Sequence, residues 1–240
     1  MADSLLYERA GEVLILTLNR PERGNALDAE TVEALMALIE RAPAEEAGLV
    51  VIGGEGEHFC VGFDLTTIER ESDGDLLLRF IRAERLLQLI YESSVPVMAL
   101  AKGQLIGLGA DLFCAAQHRI AAPEASFRMP NWRFGIAFGT RRLADRVGND
   151  VTRLLLLEDR VFDAELARAI GFATDVIPEP GWPAAIAGAS GANALSRDDA
   201  AALLTATVTR HGAADMAALV ESIGRPGLRD LLRRYRDEIG

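Results

Sequence analysis

Two glycine-rich segments contain the residue types that can stabilise a negatively charged oxygen. The first, from Gly53 to Leu65, follows a short apolar run, and the second, from Lys102 to Asp111, lies between a predicted strand and a predicted helix. Glycine lets a ligand approach the backbone closely, and the first N–H groups of a helix have no partner within it. If the two segments meet, their N–H groups can form an oxyanion hole. Composition alone also fits the alternative that both segments are only tight turns.

Several other catalytic and nucleotide-binding signatures are missing from the sequence. Gly53-Gly54-Glu55-Gly56 lacks the G-x-G-x-x-G spacing of a dinucleotide site, and neither a G-x-x-x-x-G-K-[ST] loop nor a G-x-S-x-G elbow occurs. Two cysteines, Cys60 and Cys114, are too few for a disulfide scaffold, and no Cys/His pattern has the spacing of metal ligands. We therefore predict no metal site and expect both cysteines to be small buried residues.

The elements that must position these segments alternate between strand and helix in the first part of the chain. The patterns predict a hairpin over Leu5 to Leu18, a helix capped by Asp28, a helix over Asp75 to Tyr91, and short buried strands at Leu49 to Ile52, Val97 to Leu100 and Arg119 to Ala121. Short buried strands separated by helices predict an α/β fold with a largely parallel sheet.

From about Trp182 the patterns are helical, over Asp198 to Thr209, Ala213 to Ile223 and Gly227 to Ile239. We divide the chain into a core of residues 1–181 and a helical C-terminal region of residues 182–240. The last helix is basic on one side and apolar on the other. We expect its apolar side to pack on the body of the protein, while its basic side is solvated or contacts phosphates or a neighbouring subunit.

Composition and charge restrict the class of protein. The chain has 240 residues, half of them hydrophobic, which is typical of a folded domain rather than a disordered chain. A net charge of −11 argues against general binding of nucleic acid or an anionic membrane. The N-terminus lacks a basic segment before an apolar one, and no apolar run is long enough to span a membrane. We expect a soluble, cytoplasmic protein.

Several motifs, taken in order, resemble the crotonase (enoyl-CoA hydratase/isomerase) superfamily. They are Asn19-Arg20-Pro21-x-x-x-Asn25-Ala26-Leu27, Phe59-Cys60-Val61-Gly62-Phe63-Asp64-Leu65, Gly107-Leu108-Gly109 before a helix, and Asp163 to Ala173 followed by Val176-Ile177-Pro178. The resemblance implies a spiral of ββα units, followed by a helical trimerisation region that forms a homotrimer or hexamer.

The resemblance also implies a substrate and a site. Members of the superfamily bind acyl-CoA thioesters and stabilise an enolate with two backbone N–H groups, which here correspond to Phe63 and Leu108. CoA enters as part of the substrate, so no separate cofactor is implied. The CoA moiety is expected to contact Arg20, Arg23 and backbone groups near Ala26 and Gly62.

Two positions depart from the superfamily pattern. Where typical hydratases have two glutamates, this chain has Asp111 and Asn131. Asparagine is neither a general acid nor a base at neutral pH, so we expect an isomerase-like or another one-acid/base reaction rather than ordinary hydration. Asp111 can instead be a first-turn residue favoured by the helix dipole, and Asn131 a turn residue. The glycine-rich turn at Gly135 to Arg142 is shorter than is usual, which predicts a reshaped acyl pocket.

The resemblance therefore implies an acyl-CoA enzyme, and we expect its catalytic residues to be Phe63, Leu108, Asp111 and Asn131. Two alternatives stay open. One is a non-catalytic CoA-binding or assembly subunit, which the loss of a carboxylate at Asn131 favours. The other is a C–C hydrolase of the same fold that acts on a cyclic diketone without CoA.

Overall fold

The computed structural model describes residues 4–191 and 196–239. Residues 1–3, part of the N-terminus considered above for a signal segment, lie outside the described residues, as do residues 192–195 and 240 of the predicted helical region.

The described residues form nine strands and ten α-helices. The strands are β1 (Leu5–Ala10), β2 (Val13–Leu18), β3 (Leu49–Gly54), β4 (Val97–Ala101), β5 (Gln104–Ile106), β6 (His118–Ala121), β7 (Ser126–Arg128), β8 (Phe162–Asp163) and β9 (Asp175–Val176). The helices are α1 (Ala29–Arg41), α2 (Asp73–Tyr91), α3 (Leu108–Ala115), α4 (Thr140–Val147), α5 (Asn149–Leu157), α6 (Ala164–Ala169), α7 (Trp182–Gly191), α8 (Arg197–Ala206), α9 (Gly212–Ile223) and α10 (Leu228–Ile239).

The main sheet has six strands in the order β1-β2-β3-β4-β6-β9. Only the β1–β2 pair is antiparallel, and the four other pairs are parallel. This confirms the predicted α/β fold and its largely parallel sheet. The predicted hairpin over Leu5 to Leu18 and the helix capped by Asp28 are also confirmed, since the Asp28 carboxylate accepts from the Thr31 N–H.

Both faces of this sheet are covered, as a parallel sheet requires. Successive residues of a strand point to opposite faces. Val50 and Ile52 belong to the main core. Leu49 and Val51 belong to a second apolar cluster on the opposite face, and α7 packs against this cluster through Trp182 and Ile186. The continuous apolar run in β3 therefore reflects burial on both sides.

A second sheet, β5-β7-β8, was not predicted. β5 lies within the second glycine-rich segment, which the sequence pattern indicates only as a loop. A strand of three residues is too short to show a two-residue period. β5 pairs in parallel with β7, and this pairing holds the segment that leads into α3.

The C-terminal residues that the structure describes are helical, as predicted. α9 and α10 pack against α2, and α7 packs on the main sheet. The division at residues 181 and 182 stays a prediction. Among the described residues, none of the helices has the length and apolar character needed to cross a bilayer.

Candidate active site

Backbone pairing brings the two glycine-rich segments together. Cys60 and Leu105 form a parallel bridge, in which the Ile106 N–H donates to the Cys60 carbonyl at 3.2 Å. A second bridge joins Leu27 to Phe63. The two segments are therefore held next to each other mainly by main-chain hydrogen bonds, together with one from the Gln104 N–H to His58 Nδ1 at 3.3 Å.

Glycine is needed where the two segments touch. A Cβ at Gly109 would overlap the carbonyl oxygen of Cys60. Gly62 has φ +110°, and a Cβ there would lie 2.7 Å from the Ile106 carbonyl oxygen and 3.7 Å from the Leu108 nitrogen. These close approaches place the N-terminus of α3 against the residue that precedes Phe63.

Phe63 and Leu108 line the same small cavity, which has a volume of about 20 Å³. Neither N–H donates a hydrogen bond within the described residues. The cavity is mainly apolar, and its other lining residues are Leu65, Phe80, Asn131, Ile136, Phe138, Leu232 and Tyr235. Its volume suffices for about one water molecule, so a larger ligand enters only when lining side chains move.

Asp111 lies in the first turn of α3 and is 1% exposed. Its Oδ2 accepts a hydrogen bond from the Asn131 amide at 3.2 Å, and its Oδ1, which faces Gly139, has no partner in the described part of the chain. Asn131 lines the cavity, whereas Asp111 lies behind it. Burial raises the pKa of Asp111 to about 8. The carboxyl group therefore titrates close to neutral pH.

A buried ion cluster explains why a nearby arginine does not ionise Asp111. The Arg142 guanidinium donates to both carboxylate oxygens of Glu84, at 2.8 and 2.6 Å, and lies 3.4 Å from Asp215. Arg142 lowers the pKa of Asp111, but Glu84 raises it. Since these two charges are paired, the effect of burial on Asp111 is the larger one.

The two arginines expected near CoA, Arg20 and Arg23, differ in their contacts and in their exposure. Arg20 donates to the Ala26 carbonyl and to the Asp64 carboxylate, each at 2.7 Å, and lies 3.1 Å from Asp28. The Arg23 side chain is 46% exposed, and within the described residues its one ion-pair partner is Glu22, at 4.0 Å. Arg20 therefore stabilises the conformation of its own loop, whereas the exposed Arg23 side chain can contact a ligand.

The backbone groups expected near CoA already take part in hydrogen bonds. The Ala26 N–H donates to the Arg23 carbonyl at 3.2 Å, and the Gly62 carbonyl accepts from the Leu27 N–H at 2.7 Å. A carbonyl oxygen has two lone pairs, so the Ala26 oxygen, which accepts from Arg20, can take a second donor, whereas the Gly62 oxygen also accepts a weak hydrogen bond from the Cys60 thiol at 3.8 Å.

A second cavity, of about 160 Å³, lies on the other side of Phe63. The Phe63 ring stacks on Phe80 with centroids 4.5 Å apart, and the Arg79 guanidinium lies 4.3 Å from its centroid. The remaining lining residues are Leu27, Asp28, Ala29, Val32, Glu33, Leu78 and Arg82. Phe63 thus separates the small apolar cavity from a larger one with cations at its rim.

Both cysteines are buried, as predicted. Burial raises the pKa of Cys60 to about 12 and that of Cys114 to about 11. A thiol that stays protonated at neutral pH is a poor nucleophile. Neither cysteine is a candidate for covalent catalysis.

Two parts of this site were missed in the sequence. Tyr235 comes from α10, far along the chain, and its pattern indicates only an amphipathic helix. The Glu84–Arg142 pair joins α2 to α4. The only signal for either was a charged or polar residue on an otherwise apolar helix face, which does not identify a partner.

Comparison with known proteins identifies relatives of this chain. The enoyl-CoA hydratase/isomerase family model matches residues 8–206. A Mycobacterium bovis protein with the provisional name enoyl-CoA hydratase echA6 is 34% identical over 172 residues, which cover 70% of this chain and 68% of that protein. The 2,3-dehydroadipyl-CoA hydratase of Escherichia coli is 30% identical over 178 residues, which cover 72% of this chain and 69% of that protein. A crystal structure from Bordetella parapertussis, provisionally named an enoyl-CoA hydratase/isomerase, has a TM-score of 0.95 and 43% identity, covering 98% of both chains.

Proposed function

Because this chain belongs to the enoyl-CoA hydratase/isomerase family, we propose that it is an enzyme that forms an enolate from a short acyl-CoA thioester and moves a proton with one carboxyl group. Isomerisation of a double bond is the reaction that needs only these parts. One group removes a proton from the α carbon and returns it at the γ carbon, so no second carboxylate is required.

The observation that carries this proposal is that Phe63 and Leu108 line one cavity and that their N–H groups donate no hydrogen bond to any residue the structure describes. A thioester oxygen becomes negative when the α carbon loses a proton. Two N–H donors in an apolar cavity stabilise that charge more than they do in water, because water does not screen them. The Leu108 N–H also lies at the N-terminus of α3, where the helix dipole favours negative charge.

Asp111 is the proposed proton carrier. A base that works near neutral pH is most effective with a pKa near that pH, and the pKa of Asp111, about 8, meets this condition. Its Oδ1 has no hydrogen-bond partner in the described residues, but it faces Gly139 and not the cavity, so the carboxyl group reaches the substrate only when the lining side chains move as the substrate enters. Asn131 lies between Asp111 and the cavity, so we assign Asn131 the role of orienting the carboxyl group and contacting the acyl chain.

The positions of the two cavities support an orientation for the bound acyl-CoA. The small cavity takes the acyl group, and its size favours a short chain. The larger cavity beyond Phe63 has Arg79 and Arg82 in its lining, and these cations favour it for the anionic CoA moiety, with Arg23 assigned to the phosphates. Trimer formation and a cytoplasmic location stay predictions.

The proposal is tested by assaying the purified protein with crotonyl-CoA in water and with a short 3-enoyl-CoA. We expect conversion of the 3-enoyl-CoA to the conjugated 2-enoyl-CoA, followed by ultraviolet absorbance, and at least tenfold slower hydration of crotonyl-CoA. Faster hydration than isomerisation would contradict the one-carboxyl mechanism. Calorimetric binding of CoA thioesters without turnover would favour a non-catalytic subunit, and no binding would favour a substrate without CoA.

A further inference from the structure

A tyrosine hydroxyl lies beside the N-terminus of α3. A Cβ on Gly107, the residue that precedes Leu108, would lie 2.7 Å from the Tyr235 hydroxyl oxygen and 3.7 Å from Asn131 Oδ1. Tyr235 lines the same cavity as Phe63 and Leu108. The phenol, the Asn131 amide and the backbone N–H groups therefore converge on one small space.

The hydroxyl is available to a ligand. It makes no hydrogen bond within residues 4–191 and 196–239, although its ring is partly buried and packs against the core and Phe134. A polar group near an apolar cavity loses its hydration and stays unpaired unless something binds to it. Its position is thus easier to understand as a ligand contact than as core packing, for which phenylalanine would suffice.

α10 holds this ring in place. The Tyr235 ring contacts Phe134 with centroids 4.8 Å apart, and Leu228 and Leu232 of the same helix are buried. On the outer side of the helix, Arg233 and Arg236 pair with Glu69. The hydroxyl is therefore presented from a helix that is anchored on both sides.

The phenol stays neutral at the pH at which proteins work. Burial, together with the nearby carboxyl groups of Asp111 and Asp159, raises the pKa of Tyr235 above its ordinary value. A neutral phenol is a hydrogen-bond donor, whereas its conjugate base would be costly to form here. The chemistry available to Tyr235 is donation to an oxygen that gains negative charge.

We propose that Tyr235 is a catalytic residue whose hydroxyl donates a hydrogen bond to an oxygen of the bound acyl thioester as it becomes negative. This inference rests on the proposed function. It makes the phenol a third donor beside the N–H groups of Phe63 and Leu108, and it assigns the C-terminal helix a direct part in the reaction. No proton leaves the phenol in this role.

The test is Tyr235→Phe, which keeps the ring and its contact with Phe134 and removes only the hydroxyl. Tyr7→Phe is the matched control, because the Tyr7 hydroxyl donates to Glu45 at the edge of the main sheet, away from the cavity. We expect Tyr235→Phe to lower kcat by about 10- to 100-fold with less than a threefold change in KM. Both variants should keep the wild-type unfolding temperature.

An infrared measurement separates this inference from the proposed function. The carbonyl stretch of bound butyryl-CoA reports hydrogen bonds to the thioester oxygen whether or not turnover occurs. We expect Tyr235→Phe to move this band toward its frequency in free butyryl-CoA, and Tyr7→Phe to leave it unchanged. Unchanged kcat and an unchanged band in Tyr235→Phe would overturn the role of Tyr235, while active wild-type protein would still support the proposed function. Wild-type protein that shifts the band but turns over no thioester would overturn only the proposed function.

Discussion

The side-chain amide of Asn131 donates a hydrogen bond to Oδ2 of Asp111 across 3.2 Å, and the other carboxyl oxygen has no partner in the described chain. By their motifs, these two residues correspond to the two glutamates that the resemblance to hydratases predicts. In the proposed mechanism, Asp111 is the proton-carrying group and Asn131 is a neutral donor that orients it. The pair therefore favours a reaction with a single acid/base group.

Removing the carboxyl group of Asp111 should stop proton transfer. We expect Asp111→Asn to lower kcat on a short 3-enoyl-CoA by about 100-fold or more, because the amide neither takes up nor returns a proton at neutral pH. In wild-type protein, kcat/KM should rise about tenfold per pH unit below pH 8 and level off above it, since the carboxylate is the active form and its pKa is about 8. A rate that falls as pH rises to 8 would contradict a basic role.

The same variant has a readout independent of activity. In the unfolded chain, the Asp111 carboxyl ionises near its ordinary pKa of 3.8, and in the folded protein near 8. Folding therefore takes up a proton between about pH 4 and pH 8, so the stability of the wild-type protein falls as pH rises through that range. Asp111→Asn should lack this part of the pH dependence. Thermal unfolding of both proteins at pH 5 and pH 8 measures it.

Glu84 should control the titration of Asp111 through Arg142. Glu84→Gln removes a negative charge next to Asp111 and leaves the Arg142 cation unneutralised by its closest partner. The rise of kcat/KM with pH should therefore move to lower pH than in wild-type protein. Breaking this buried pair should also cost about 3–5 kcal/mol of unfolding free energy.

A surface glutamate provides the comparison for this variant. Glu45→Gln removes one partner of the solvent-exposed Arg41–Glu45 pair, and exposed pairs contribute little. Its pH profile should match the wild-type profile. If Glu84→Gln is folded and has an unshifted profile, Glu84 does not act on Asp111.

The close contact between α3 and Cys60 should make Gly109 intolerant of a methyl group. In Gly109→Ala, the Cβ would overlap the Cys60 carbonyl oxygen, so the backbone must shift. We expect a loss of about 1–3 kcal/mol in unfolding free energy and at least a tenfold fall in kcat, because the Leu108 N–H moves with the helix. Chemical denaturation and the isomerase assay measure both effects.

Gly188 is the matched control, because it lies in α7 and a Cβ there would meet no atom within 4 Å. Gly188→Ala should stabilise the protein by up to about 1 kcal/mol through helix propensity. It should leave kcat unchanged. Equal effects of the two substitutions would show that the contact with Cys60 is unimportant.

Arg23 should bind the CoA moiety, and Arg20 should not. We expect Arg23→Gln to raise KM for an acyl-CoA about five- to tenfold at low salt, with a smaller effect at high salt, because the Arg23 side chain is exposed and salt would screen its proposed interaction with the phosphates. An acyl-pantetheine thioester, which lacks the nucleotide, should show no change. Arg20→Gln should instead lower stability, since it leaves the buried Asp64 carboxylate without its arginine. An equal rise in KM for the acyl-CoA and the acyl-pantetheine thioester would show that Arg23 does not contact the nucleotide part of CoA.

Local patterns in the sequence were sufficient to predict several strands, the start of one helix and the family of this protein. Alternating apolar runs predicted the hairpin and the central strands, and capping chemistry predicted the start of α1. The motifs identified the family, which the family model and relatives confirm. These features depend on neighbours within a few residues, so they are visible in the order of residues.

Other features depended on residues that are distant in the chain. The pairing of Cys60 with Leu105, the burial that raises the pKa of Asp111, and the approach of Tyr235 to Gly107 each join separate elements. Charge, hydration and hydrogen bonding at a site depend on which groups meet there and how much water they exclude. Residue order specifies which groups are present, but only tertiary packing decides which of them share one space.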